Sequence, residues 1–583
     1  MTPTPSHTRP RHPAGLYILF LTEMWERFSF YLMIGILYQY LVDSQTGGMG
    51  WSGEKAASVV GSYIGLVYFT PFLGGLVADR LLGSRTTIIL GAAFMVVGHV
   101  LLAFPTETML YLALLTLIIG CGLFKANIST MVGNLYPPGS PLRDSGYNIF
   151  YLGINVGAFL CNFVAALVRN AYGWHWAFAT AGIGMAIGLV TFAIGQRYLR
   201  DADRNPRERP ATEHDQSLAP LIFGCLLPAV VCGTIGWFVG GSSPTMAFLF
   251  ASVPAVGFFV WVWRSIEIPR EKARVAGLLT IFAVSVPFWA IFQQNSTALT
   301  AWALSSTDRT PNAVVKPIIN LSPDFAENAP PEYFKNAGPT TPRPDKSTFQ
   351  IVGEPEYEAL QKNKLLAVTD GKPVMVTALI QTEVYALANA ETPILPPGQH
   401  LKLVNTELFQ SINGGFIILF TPLVVGFFGW LRRRNKEPST SAKIGMGLGI
   451  TALSAVVMII ASMVVDDVHG KATAWWLFGT YGVITIGELC LSPMGLSLVS
   501  RMSPVRMRAF MMGGWFLSTA IGNKLSGILG EVYHKWSHVE FFVVNAIAVG
   551  VAALVVLLLL PWLNQQMVED RALPAADAAS DAA

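Results

Sequence analysis

An all-α integral membrane protein, with fourteen spans arranged six plus two plus six, is the fold class this sequence predicts. Of 583 residues, 52% are hydrophobic and only 13% charged, whereas soluble chains carry roughly 25% charged residues. Runs of about 20 apolar residues, long enough to cross a hydrocarbon core of ~30 Å, recur fourteen times. Lys and Arg gather on alternate loops, which fixes orientation by the positive-inside rule.

In chain order the runs lie at roughly 15–42, 56–79, 86–104, 108–132, 145–168, 174–197, 218–240, 245–263, 276–303, 406–431, 443–465, 473–500, 507–530 and 538–563. They divide the chain into a tail (1–14), a six-helix bundle (15–197), a linker (198–217), a helical hairpin (218–263), a second linker (264–275), a second six-helix bundle (276–563) and a C-terminal tail (564–583). The basic stretches are Arg9 and Arg11, "DRLLGSR" (79–85), "QRYLRDADRNPRER" (196–209), "WRSIEIPREKAR" (263–274), "LRRRNK" (431–436) and "SRMSPVRMR" (500–508). Both linkers and both termini are therefore expected on the cytoplasmic side.

The first run contains three charges and lacks a small-residue cleavage site, so it is expected to stay as a helix and not to be removed as a signal peptide. Cys121, Cys161, Cys225, Cys232 and Cys490 all lie in apolar runs, which predicts neither disulfides nor a cysteine metal site. The 218–263 hairpin turns at "GGSSP" and has no ionisable residue before Arg264; it is expected to face lipid, outside the chemistry. Residues 304–405 form a polar, Pro-rich insertion on the extracytoplasmic side. Within it, "LLAVTDGKPVMVTALI" (365–380) flanks Asp370-Gly371 with β-rich runs, a hairpin signal. A small, partly β subdomain follows, either a tolerated surface insertion or a gate, cap or partner site. The terminal "ALPAADAASDAA" (572–583) is expected to be disordered.

Charge inside a span costs about 2.5 to 3.5 kcal/mol at the bilayer centre, so each retained one needs a partner or a water-filled cavity. "FLTEMWERFSFYLMIGIL" (20–37) places Glu23, Arg27 and Tyr31 four apart and Glu26 three from Glu23. That spacing gives one polar stripe on a helix. The bland alternative is a fixed ion pair that only staples helices. "IIGCGLFKANIST" (118–130) sets Lys125 mid-helix beside Gly120 and Gly122, too central to snorkel comfortably. "FYLGINVGAF" (150–159) offers Tyr151 and Asn155, where an asparagine alone is ordinarily interhelical glue.

The second half supplies Trp289, Gln293 and Gln294 in "PFWAIFQQNST" (287–297), Asn413 in "ELFQSINGGF" (407–416), and Glu488 with Pro493 in "TIGELCLSPMGLSLV" (485–499). "GGWFLSTAIGNKLSG" (513–527) adds Trp515, Asn523 and Lys524. Arg27 and Lys125 from one half and Glu488 from the other would give a shared cavity a positive and a negative pole, suited to a zwitterion. Lys524 lies nearer its helix's outer end and reads as a snorkelling or gate residue.

Two six-helix halves with basic connectors resemble the major facilitator superfamily. "GGLVADRLLGSR" (74–85) looks like its loop signature, with Asp79 and the arginines as a charged latch. More specifically, "EMWERFSFY", "GLFKANIS", "FYLGINVG", "FQSIN", "GELCLSPMGLSLV" and "GGWFLSTAIGN" resemble, in this order, the motifs of the proton-coupled oligopeptide transporters, and the inserted helix pair is usual in bacterial members. The resemblance implies import of di- and tripeptides with protons across the bacterial inner membrane, by a monomer with no cofactor but the coupling proton and no nucleic-acid partner. It implies that Arg27 and Lys125 receive the peptide carboxylate, and that Asn155, Asn413 and Glu488 receive the amino end. Tyr31, Tyr68, Trp289 and Trp515 would line side-chain pockets. A guanidinium fork and an ammonium suit a carboxylate, and aromatic walls accept varied side chains.

The chain departs from that pattern at Phe30, which lacks a hydroxyl, and at Ile34 and Gln293, where relatives often carry a pairing arginine and glutamate. Losing both together strands no charge. Coupling is then expected at Glu23, Glu26, Arg27 and Lys125, where burial competes with the two cations for control of proton affinity. A transporter of nitrate or a peptide-like solute is the alternative, against which Glu488 would repel a simple anion. A membrane enzyme would want metal-binding carboxylates near an interface, and Asp466-Asp467, on the outer side, has no accompanying His or Glu motif.

Overall fold

Helix boundaries follow from local chemistry in this computed structural model. It describes residues 12–44, 46–137, 142–203, 222–241, 243–309, 316–328, 333–336, 349–352, 366–369, 372–375, 377–380, 402–465, 471–503 and 508–568. The tail 572–583, the Asp370-Gly371 turn and Asp466-Asp467 lie outside these residues, as do the Asp79 and Arg80 side chains.

The first half comprises α1 (Ala14–Val42), α2 (Gly53–Val77), α3 (Ser84–Leu101), α4 (Glu107–Asn134), α5 (Arg143–Tyr172) and α6 (Trp174–Gly195). Ser52 and Thr106 cap α2 and α4 by accepting from the Lys55 and Met109 amides, the role short polar side chains play at helix starts. Gly173 separates α5 from α6 at φ +88°, a conformation that side chains with a Cβ resist. Asp203 accepts from the Arg85 amide and pairs with the Arg85 guanidinium at 3.0 Å. Arg85 is thus engaged by the end of α6 beyond its own loop.

A short α7 (Leu227–Val239) and α8 (Pro244–Arg264) follow. They pack on each other, and α8 touches α2 and the second half from outside. Their side chains are largely exposed and apolar, among them Leu227, Val230, Phe238 and Val253. The second half contains α9 (Pro269–Phe292), a tight turn at 293–296, α10 (Ala298–Ser305), the short α11 (Lys316–Leu321), α12 (Ser411–Arg433), α13 (Thr440–Val464), α14 (Trp475–Met502), α15 (Arg508–Tyr533) and α16 (His538–Val568).

Eleven helical stretches among the described residues are long and apolar enough to cross a membrane. Three of the fourteen expected spans fall outside that count for identifiable reasons. The α1 helix carries Glu23, Glu26 and Arg27, α15 carries Lys524 among many small and polar residues, and the apolar helix 223–239 is short. Both α1 and α15 have ample length, 29 and 26 residues; their polarity is turned inward, since Glu26 and Lys524 are fully buried.

The insertion contains short strands. β2 (Ala326–Asn328) pairs antiparallel with β8 (Lys402–Val404), closing the insertion at its neck. β5 (Leu366–Thr369) pairs with β6 (Lys372–Met375), Leu366 opposite Met375, the hairpin register expected around Asp370-Gly371.

Chain direction puts the start of α1 and the end of α16 at one end of the bundle and the β2–β8 neck of the insertion at the other, here the far end. The principal buried cluster runs through the first half and continues into far-end residues of the second, including Trp302, Phe409, Tyr533 and Phe541. A separate cluster holds the second half together toward the termini, through residues such as Val275, Leu498, Met511 and Leu563. The halves therefore share a core at the far end. There α2 and α15 come together at Gly61 and Gly527, where a Cβ on either glycine would meet the other's Cα.

Candidate functional site

Midway along α1, three charges are held in one helix. Arg27 donates from Nε to Glu23 Oε1 at 3.0 Å and from Nη2 to Glu26 Oε1 at 3.0 Å; Glu26 Oε2 lies 2.5 Å from Nε. All three side chains are buried. Because positions three and four apart share a helix face, the sequence alone delivers the carboxylates to the guanidinium. Among the described residues, neither Glu23 Oε2 nor Glu26 Oε2 has a hydrogen-bond partner.

The α5 helix approaches this triad closely: a Cβ at Gly157 would crowd the Met24 carbonyl and the Phe28 amide. Lys125 of α4 stands close enough for its charge to act on Glu23, Glu26 and Arg27. Its ammonium lies 3.6 Å from the centre of the Tyr68 ring, a cation–π contact. Arg27 in turn lies over Phe30 at 5.2 Å. Two cations thus act on the same two carboxylates, which pair directly with Arg27.

The opposite pole is built from α12 and α14. Asn413 Nδ2 donates to Glu488 Oε2 at 3.2 Å and to Thr485 Oγ1 at 2.9 Å. Tyr31 and Tyr68 lie within electrostatic reach of both Arg27 and Glu488, and Tyr151 within reach of Glu488. Tyr31 and Tyr68 therefore feel both a cationic and an anionic pole, contributed by different halves. Asn155 is buried, with its amide donating back to the Tyr151 carbonyl at 2.9 Å; no described contact joins it to Asn413 or Glu488.

A third group is aromatic. Trp289 of α9 and Trp515 of α15 meet edge to face at 6.3 Å, and Trp515 meets Phe282 at 6.2 Å. The indole Nε1 of Trp289 is buried without a hydrogen-bond partner. Ile34 and Gln293 are buried and neutral, and Gln294 accepts from Asn545 at 3.2 Å. Lys524 does not snorkel: it is fully buried and donates to Ser62 Oγ of α2 at 2.8 Å. Of snorkelling and gating, the two readings the sequence left for it, burial removes the first, and the bond to Ser62 joins the two halves.

Sequence reasoning missed a second charged group, at the far end. Arg169 of α5 binds Glu327 of β2 and faces Glu407 at 3.1 Å, while Arg309 binds the other oxygen of Glu327 at 2.5 Å. Asn170 donates to Asn405 Oδ1 at 2.9 Å, and Asn405 returns a bond at 3.1 Å. Across the same mouth, Tyr38 meets His534 at 3.0 Å and Glu54 meets Lys535 at 3.1 Å. By contrast, ion pairs described at the termini end stay within one half: Arg85 with Asp203, and Glu437 with Arg432 and Lys443. Arg169 and Glu407 carried a usable signal, since each is a charge at the edge of an apolar run.

Comparison with known proteins places this arrangement. The di-/tripeptide transporter of Lactococcus lactis subsp. cremoris is 28% identical over 563 residues, covering 94% of this chain and 95% of that one. The peptide transporter YePEPT of Yersinia enterocolitica is 28% identical over 537 residues, covering 89% and 88%. A crystal structure of a peptide transporter POT in complex with sulfate superposes with a TM-score of 0.72 at 27% identity, covering 95% of this chain and 96% of that one. A POT family transporter in complex with 5-aminolevulinic acid superposes at 0.70 and 25% identity, covering 95% and 97%. The sequence model of the POT family matches residues 85–324 and 399–549, more than half of the chain; these are transporters and not enzymes, and the chain belongs to the POT family.

Proposed function

We propose that the protein is a proton-coupled symporter that imports di- and tripeptides by alternating access, with opposite-charge poles receiving the peptide termini. The observation that carries this reading is the pair of poles, Arg27 with Lys125 and Glu488 with Asn413, and the tyrosines within reach of both. The peptide carboxylate would meet the guanidinium and ammonium, and its amino group would meet Glu488 and Asn413, with Asn155 turning from its own helix to assist. Tyr31, Tyr68, Trp289 and Trp515 would form walls for side chains.

In this reading α1, α15 and the helix at 223–239 complete fourteen spans, and both termini face the cytoplasm of a bacterial inner membrane. The insertion then lies on the extracytoplasmic side, and the described state is closed outside. Protons reach Glu23 and Glu26; a protonated carboxyl releases its hold on Arg27, which becomes available to the peptide carboxylate. Each charge carried inward gains about 2.3 kcal/mol per 100 mV of membrane potential. No cofactor is required, and one monomer suffices, because both poles come from a single chain.

A peptide-like zwitterion is the second reading, supported by the similar transporter seen with 5-aminolevulinic acid. Both readings are tested by uptake of a labelled dipeptide into proteoliposomes, with and without an inward proton gradient, competed by tripeptide, 5-aminolevulinic acid and nitrate. Gradient-dependent uptake blocked by tripeptide is expected. Glu23→Gln and Glu26→Gln should abolish accumulation while sparing part of the counterflow. Unchanged accumulation in both variants would remove them from the coupling.

A further inference from the structure

We propose that Glu327, at the neck of the insertion, is a gating residue that clasps the two halves across the far mouth and releases Arg169 whenever that mouth opens. The proposal rests on the alternating access argued above, and it gives the insertion a part in transport.

The geometry is specific. Pairing of β2 with β8 sets Glu327 opposite Leu403, so the insertion's beginning and end hold the carboxylate at the mouth. One of its oxygens takes Arg309, from its own half, and the other takes Arg169, from α5 of the first half. Arg169 also faces Glu407 at the start of the α12 segment. A single guanidinium from one half is therefore embraced by two carboxylates from the other.

Neighbouring bonds point the same way. Asn170 donates to the Asp324 carbonyl at 2.7 Å and exchanges bonds with Asn405. Phe163 of α5 meets Phe325 edge to face at 5.4 Å. Arg169, Asn170, Trp174 and Glu327 line a cleft of about 300 Å³ at this point. Below the clasp, the buried Ser411 donates to the Phe159 carbonyl. The α5 helix cannot swing from α12 without parting these groups.

The clasp carboxylate also lies outside the stretches that the family model matches. The family match stops at residue 324 and resumes at 399. Arg169 and Glu407 fall inside it, whereas Glu327 falls in the stretch it skips. The insertion thus supplies a second carboxylate to an arginine that already faces one.

Two measurements on the full chain in proteoliposomes test this. First, Asn170→Cys with Asn405→Cys should cross-link on mild oxidation and lower dipeptide counterflow at least tenfold, with recovery in dithiothreitol. No cross-link, or parental transport by cross-linked protein, overturns the proposal. Second, Ser411→Cys reports mouth opening through its labelling by a membrane-impermeant maleimide, against the parent chain as control. Adding Glu327→Gln should speed that labelling at least threefold, and an unchanged rate removes Glu327 from the gate. Labelling needs no substrate, so a chain that carries no peptide fails the functional reading while the second measurement still decides the clasp.

Discussion

Arg27 and Arg169 occupy the same chemical frame, one guanidinium between two carboxylates, but the frames are assembled differently. Around Arg27 every partner comes from the same helix. Around Arg169 both carboxylates come from the other half of the molecule. In the proposed alternating-access cycle, a set built within one helix would travel intact when the halves move and so could hold charge and proton throughout. A set built across the halves would have to break, and so would report and control which mouth is open. In that reading identical chemistry serves storage in one place and closure in the other.

The largest effect should come from Arg27→Met. It strands two carboxylates in the interior, and breaking a buried pair from one side costs about 3 to 5 kcal/mol. Dipeptide uptake should fall at least a hundredfold and the melting temperature in detergent should drop by several degrees. Parental values for both would mean that the α1 triad neither stores charge nor stabilises the fold. Arg169→Met should be milder, because Glu327 keeps Arg309 and only Glu407 loses its ion pair. We expect uptake within tenfold of the parent and faster labelling at Ser411→Cys. A fall as deep as that of Arg27→Met would erase the distinction between the two sets.

The smallest effect concerns pH at the far mouth. Burial pushes the Glu327 carboxyl up, but the guanidiniums of Arg169 and Arg309 outweigh this and hold it below the usual range. Its contribution to closure is complete above the ordinary carboxyl value and is lost only as pH falls below it. His534 runs the other way: burial holds its imidazole below the ordinary 6.5, against the opposing pull of Glu54. Opening exposes the ring to water and lets it bind a proton more readily, so closure weakens as pH falls through that value. Labelling at Ser411→Cys, normalised at each pH to the same thiol in denatured protein to remove the fall in thiolate fraction, should rise about twofold from pH 7.5 to 5.5, and His534→Gln should flatten the rise. A slope that persists in His534→Gln but vanishes in Glu327→Gln would invert the assignment.

The two arginine sets also measure what sequence can reveal. Helical periodicity turns a spacing of three and four into a shared face, so the α1 triad was readable. The β5–β6 hairpin was readable for a similar reason, since its turn chemistry and register are local. Arg169 and Glu327 stand 158 positions apart, and no local period joins them. Lys524 shows the same limit, because only packing of α15 on α2 decides whether its ammonium reaches an interface or Ser62. Eleven of the fourteen expected spans register by length and apolarity among the described residues; α1 and α15 are too polar to register because they carry buried charges, and the helix at 223–239 is short.

The Asn413–Glu488 bond and the return of the Asn155 amide to its own helix have a consequence for affinity. Groups that already satisfy one another gain little net hydrogen bonding when a newcomer replaces the internal partner, because each new contact is an exchange. Such a site distinguishes solutes by the quality of that exchange and still releases them readily. A carrier gains from this shallow energetic well, since turnover ends with letting go.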